Sequence, residues 1–147
     1  MGLFNAIDVS SSGLTAQRLR MDTISENIAN VNTTRTSAGG PYRRKVAVFE
    51  SREKANPFSG IFQQALGQKD TGNGVRVAKI AEDNSPFKIV YDPNHPDANA
   101  EGYVSMPNVN IVSEMVNMIS ATRSYEANVT AVKASKDIAL KALEIGR

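Results

Sequence analysis

The residues whose types could do chemistry are few, and most lie in one short stretch, DPNHPDAN, residues 92–99. His95 is the single histidine, and Asp92 and Asp97 stand close to it. A histidine oriented by a carboxylate can act as a general base, but only beside a nucleophile, and no nucleophile motif accompanies it. Asp92, Asn94, Asp97 and Asn99 resemble the opening of a calcium loop. That pattern needs glycine at its sixth position and glutamate at its twelfth, and neither is present. The simpler reading is a turn built from Asx residues and prolines. Gly72-Asn73-Gly74 begins like a dinucleotide fingerprint, but Val77 stands where the third glycine belongs and no helix pattern follows, so a hairpin turn is expected. With no cysteine in the chain, disulfide and thiolate-metal chemistry are excluded. No catalytic, cofactor or metal residue is assigned, and a non-enzyme is expected.

Charge is the next place to look. The net charge is only +2, yet residues 33–54 carry six basic and two acidic groups. Arg43, Arg44 and Lys45 form the one basic run. Three readings stand open for it: a nucleic-acid contact, a solvated strand end, or a contact with acidic groups on a neighbouring protein. Alternation along a strand would put Arg43 and Lys45 on one face and Arg44 on the other, which splits the charge and disfavours tracking along phosphates.

These residues must be held by elements, and the pattern supplies three parts. In the first 35 residues Ile7, Leu14, Met21 and Ile28 share one heptad position, while Leu3, Ile24 and Val31 share another with Ser10 and Gln17. That predicts a helix with a narrow apolar seam. The Ser10–Gly13 stretch weakens its start, so a firm helix is expected from about Leu14. Its end is marked by Asn27, Asn30 and Asn32, because Asn tolerates the left-handed conformation that stops helices. Gly39-Gly40-Pro41 then blocks continuation.

The last part, residues 109–147, repeats the design. Ile111, Met115, Met118, Thr122, Tyr125, Val129, Val132, Ala139 and Leu143 alternate by four and three, with Lys136 as the interruption. Asn108 or Asn110 is placed to cap the first turn and Gly146 to close the last. A helix from about Val109 to Ile145 would be roughly 55 Å long at ~1.5 Å per residue. Between the helices, in residues 36–108, RRKVAVFES, VRVAKIAED and FKIVYD read as short strands, with Val104 and Met106 as a fourth. SGIFQQALGQKDTGNG reads as a mobile loop. The fold expected is α+β: two long terminal helices packed in coiled-coil fashion around a small β-rich unit. The two seams could satisfy each other, or pack against other subunits; Gln17, Thr122 and Lys136 interrupt them, which favours the second. No run of apolar residues approaches the length of a membrane span, and the opening residues lack a secretory leader, which by itself suggests a cytoplasmic protein.

One further signal is carried by whole motifs. SGLTAQRLRMDTISENIANVNT, from Ser12 to Thr33, resembles the N-terminal signature of the bacterial flagellar rod and hook family. GGPYRRK, from Gly39 to Lys45, and the stretch from Gly102 to Arg147 resemble the proximal-rod branch of that family. The resemblance implies a structural subunit of the basal body that stacks helically into the drive shaft of the flagellum, within the periplasm. It implies delivery through the flagellar type III export apparatus, which removes the need for a cleaved leader. Partners implied are copies of the chain itself, other proximal and distal rod proteins, and the inner-membrane ring and export apparatus at the base, with neither nucleic acid nor membrane insertion. Residues expected at subunit contacts are Leu14, Met21, Ile24 and Ile28 of the first helix, with Asn27, Asn30 and Asn32 bonding the turn and a neighbouring helix. From the last helix they are Met115, Met118, Ile119, Tyr125, Val129 and Val132. Arg43 and Arg44 are expected to meet acidic groups of an adjacent subunit.

Overall fold

A computed structural model describes residues 3–37, 39–52 and 73–145. Helix α1 spans Leu3–Ala29 and helix α2 spans Ile111–Ile145. Between them lie strands β1 (Lys45–Ser51), β2 (Val75–Glu82), β3 (Lys88–Tyr91) and β4 (Tyr103–Met106). The strands form two separate two-stranded sheets, β1 with β2 and β3 with β4. The two helices pack together with this small β region between them in sequence, an α+β fold. No helix among the described residues is long and apolar enough to cross a membrane. The expected loop from Ser59 onward and the expected stop at Gly146 lie outside the described residues, apart from Asn73 and Gly74.

Two expectations for α1 fail for identifiable reasons. The helix begins at Leu3 and runs through the serines. Ser12 donates through Oγ to the Val9 carbonyl at 2.7 Å, and Thr15 does the same to Ser11 at 3.2 Å. These hydroxyls bond back into the helix and so stop competing with it. The end of α1 uses no left-handed asparagine. Only glycines have positive φ among the described residues: Gly39, Gly40, Gly74 and Gly102. Instead, Asn30 closes the last turn twice, donating to the Glu26 carbonyl from its backbone N at 3.1 Å and from its side-chain Nδ2 at 2.9 Å.

The buried face of α1 also differs from the expected seam. Fully buried are Gly13, Ala16, Thr23, Ile24 and Asn27, whereas Leu14, Met21 and Ile28 are half-buried. Small side chains line the closest approach, and the larger apolar ones flank it. In one compact unit, made of α1 up to Arg18, the adjoining ends of β1 and β2, and α2 from Thr122, Gly13 lies against Asn128. A Cβ at Gly13 would stand 3.0 Å from the Asn128 amide. In the other unit, residues 19–48 and 79–121, Asn27 meets Glu114.

In the first unit Arg52 N donates to Gly74 O at 3.0 Å, and in the second Asp83 N donates to Arg44 O at 2.8 Å. Gly74 sits directly on α1: Val75 N donates to Ser12 Oγ at 3.0 Å, and a Cβ on Gly74 would fall 2.2 Å from that oxygen. In the β3–β4 pair, Val90 faces Val104 and Tyr91 faces Tyr103. Val104 is the buried member of the hairpin, and the two tyrosine rings meet edge to face at 5.2 Å.

Candidate functional site

The deepest chemistry in the molecule is polar. The largest fully buried side chains among the described residues are Glu114, Val104 and Asn27. Asn27 stands in the last turn of α1, on its buried face, and fills all four of its hydrogen-bonding positions. Its Oδ1 accepts from Lys45 N at 2.8 Å and from the Tyr42 hydroxyl at 3.0 Å. Its Nδ2 donates to Lys45 O at 2.8 Å and to Glu114 Oε2 at 2.9 Å. The amide therefore pairs with both backbone groups of Lys45, as a neighbouring strand would, at the point where β1 begins. An amide is the side chain that can do this, since it presents a donor and an acceptor side by side.

Glu114 lies in the first turn of α2, where a negative charge is favoured by the helix dipole. Asn110 caps that turn: its Oδ1 accepts from Val112 N at 3.0 Å and from Ser113 N at 3.3 Å. The Glu114 carboxylate is completely buried, and such a charge survives burial only with close partners. Arg44 supplies them, donating through Nε and Nη2 to Oε1 at 2.9 and 2.8 Å. Asn117 adds a longer contact at 3.5 Å. The third guanidinium nitrogen of Arg44 reaches Asp83 Oδ2 at 3.4 Å. Asn108, the alternative capping candidate, is used elsewhere. Its Oδ1 takes Arg44 N at 2.8 Å and its Nδ2 reaches the carbonyls of Asp83 and Ser85.

The protonation states follow from these contacts. Burial disfavours the charged Arg44 guanidinium, but the bonds and charge of Glu114, followed by Asp83, outweigh it and raise its pKa. The Ser85 hydroxyl and amide, with help from Arg44, hold Asp83 below the usual carboxylate range. Burial first, then the carboxylates of Glu26, Glu114 and Glu82, push the Tyr42 hydroxyl up to about 12. Arg44 and Asp83 are thus held in their charged forms and Tyr42 in its neutral form. The chemistry of the cluster is to hold α1, β1 and α2 at one point.

The remaining expected residues fall into distinct settings. Ile24 is buried; Leu14, Met21, Ile28, Asn30, Met118, Tyr125, Val129 and Val132 are half-buried; Asn32, Met115 and Ile119 are exposed. The basic run meets groups of its own chain. Arg43 lies over the Phe87 ring at 4.3 Å and donates to the Asp83 carbonyl, and Lys45 pairs with Glu26. At the β3–β4 loop, His95 Nδ1 accepts from Asp97 N at 3.1 Å, Asp97 takes the Thr34 hydroxyl, and Asp92 takes Asn94 N. These are Asx-type turns, with no carboxylate on the histidine ring. Sequence reasoning missed Glu114, Tyr42, Asp83 and the anchoring use of Asn108. The available signal was Glu114 itself, a lone acid inside the apolar run IVSEMVNMI, matched in number by one inward-pointing arginine of the basic run.

On the same helix a second feature faces outward. Ile111, Val112, Met115, Val116 and Ile119 are all 45% exposed or more and recur at helical spacing, so they make one apolar band. Ile111 and Val112 continue into a groove of about 610 Å³ whose walls include Val31, Pro86, Val90 and Met106.

Two family patterns match the chain. "Flagella basal body rod protein" covers residues 7–35, and "Flagellar basal body rod FlgEFG protein C-terminal" covers residues 100–145. The chain is 53% identical to the flagellar basal-body rod protein FlgC of Bacillus subtilis, over 100% of both chains. It is 53% identical to that of Borreliella burgdorferi, over 99% of this chain and 98% of the relative. With the protein of the same name from Escherichia coli O6:H1 it shares 40% identity over 100% of both chains.

Proposed function

We propose, because this chain belongs to the FlgC family of flagellar basal-body rod proteins, that it is a non-enzymatic subunit of the proximal rod. It packs helically with copies of itself and with other rod proteins into the shaft that transmits torque, and it reaches the periplasm through the flagellar type III apparatus. The observation that carries this reading is the apolar band on α2. A monomer gains nothing by showing Ile111, Val112, Met115, Val116 and Ile119 to water, and a contiguous band of this kind marks a surface for protein partners. Each such side chain contributes about 1.5–3 kcal/mol when buried. Repeated at every subunit, that makes a stiff assembly out of weakly cored parts.

Within the proposed contact surface, Met115 and Ile119 form the centre. Leu14, Met21, Ile28, Met118, Tyr125, Val129 and Val132 lend their partly covered surfaces along the helices, and Asn30, Asn32 and Arg43 contribute at the rim. Ile24, Asn27 and Arg44 act from inside the chain by holding that surface in place. The test is Met115→Asp combined with Ile119→Asp in a strain lacking the native protein. Because both positions are exposed, the purified variant keeps the native helical content. Cells carrying it make the protein but do not swim and yield no rods. Normal swimming would sink the assembly reading.

A further inference from the structure

The clasp of Asn27, Arg44 and Glu114 does more than stabilise. On α1 the neighbouring buried positions are Thr23 and Ile24, and on α2 the next buried position is Ala121. Small and sparse contacts of this kind discriminate poorly between alternative alignments of two helices, because a slide by one turn trades one set of small residues for another. The polar contacts discriminate sharply. Only one alignment brings Asn27 Nδ2 to Glu114 Oε2 at 2.9 Å while Arg44 reaches Oε1 at 2.8 Å. A slide of α2 by one turn, ~5.4 Å, would leave a buried carboxylate without its donors and Asn27 without one of its four bonds.

We infer that Asn27, Arg44 and Glu114 are positioning residues that specify a single register of α1 against α2, and so fix which side chains α2 turns outward. Asn108, just before α2, holds the Arg44 backbone at 2.8 Å and also reaches the Asp83 and Ser85 carbonyls, so a slide of α2 would strain these contacts as well. With the register set, the band from Ile111 to Ile119 faces away from α1. The consequence for assembly rests on the rod reading above, but the register itself belongs to the single chain and is measured there.

The full chain has no native cysteine, so spin labels can be placed at Ser25 on α1 and Ser113 on α2, both exposed. In the native background the distance between them is a single narrow population. In Asn27→Leu with Arg44→Met and Glu114→Leu, an apolar replacement of similar volume, helical content is retained while the distance splits or shifts by roughly one helical turn. A single unchanged distance in that variant, or a broad one in the native chain, would overturn the inference. Should the triple variant lose its helices, the charge exchange decides. Arg44→Glu alone broadens the distance and Arg44→Glu with Glu114→Arg narrows it again. Failure of the exchange to restore the narrow population would equally overturn it. Retained swimming in the Met115→Asp, Ile119→Asp variant would count against the rod contact and leave this measurement untouched.

Discussion

At the scale of residues, Tyr42 is the cleanest reporter of the clasp. Its hydroxyl donates to Asn27 Oδ1, and its pKa is pushed up to about 12 by burial and by the surrounding carboxylates. A raised pKa on a tyrosine means that the folded chain prefers the neutral form. The stability this preference contributes is complete below pH 10, the ordinary value, and is lost as pH rises through about 12. The urea midpoint of the native chain therefore falls across that interval. Tyr42→Phe starts lower by the value of one hydrogen bond, about 1 kcal/mol, but shows a smaller alkaline fall. Equal falls in both proteins would place the titration elsewhere. Individual residues were only partly legible in the sequence. Arg44 could be separated from Arg43 and Lys45 by strand alternation. Its partner could not be named, because Glu114 lies 70 positions away and nothing local marks the pair.

At the scale of elements, four strands and two helices were readable from period and turn chemistry, because both signals are local. What the period could not reveal is which stripe of α1 faces α2. The bulky heptad residues suggested one seam, whereas Gly13, Ala16, Thr23, Ile24 and Asn27 form the buried face. Close approach selects small side chains, and a hydrophobicity pattern scores them poorly. Gly13 tests this. Ala there improves helix propensity by up to ~1 kcal/mol, while its Cβ would stand 3.0 Å from the Asn128 amide, which must give by a few tenths of an ångström. Gly13→Ala is therefore expected within about 1 kcal/mol of the native chain. Gly13→Leu forces the helices apart and costs about 1–3 kcal/mol in chemical denaturation. A neutral Gly13→Leu would show that the helices do not approach closely at that point. The early start of α1 was hidden for a similar reason: serines read as breakers unless their hydroxyls are seen to bond within the helix, as Ser12 and Thr15 do.

At the scale of the whole molecule, burial is uneven along α2. Between Ile111 and Ala121 it contains Glu114 and Ala121, both at 0% exposure. From Thr122 to Glu144 no described residue is buried, and Ile138 and Leu143 are more than 60% exposed. Local stability follows such differences, so amides beyond Thr122 should exchange with solvent well before those of residues 114–121 in the dilute chain. Incorporation into rods should remove most of that contrast. Uniform protection along α2 in the free chain would mean that its far half is held by the monomer alone. A 147-residue chain with 41% hydrophobic residues and no tryptophan has little to build a core from. Which half of α2 would keep its cover could not be read, because that depends on where the clasp sits.

The sequence separation within the clasp sets a timetable. Asn27 and Glu114 are 87 positions apart, and Arg44 and Glu114 are 70 apart. A chain emerging from a channel with its N-terminus first presents Asn27, then Tyr42 and Arg44, and all three must wait for Glu114. Until then the amide and the guanidinium stay hydrated and α1 has no fixed partner. Folding of this unit is thereby postponed until more than three quarters of the chain has passed. On the export route proposed above, a subunit keyed in this way would stay threadable for most of its passage and take its shape only at the end.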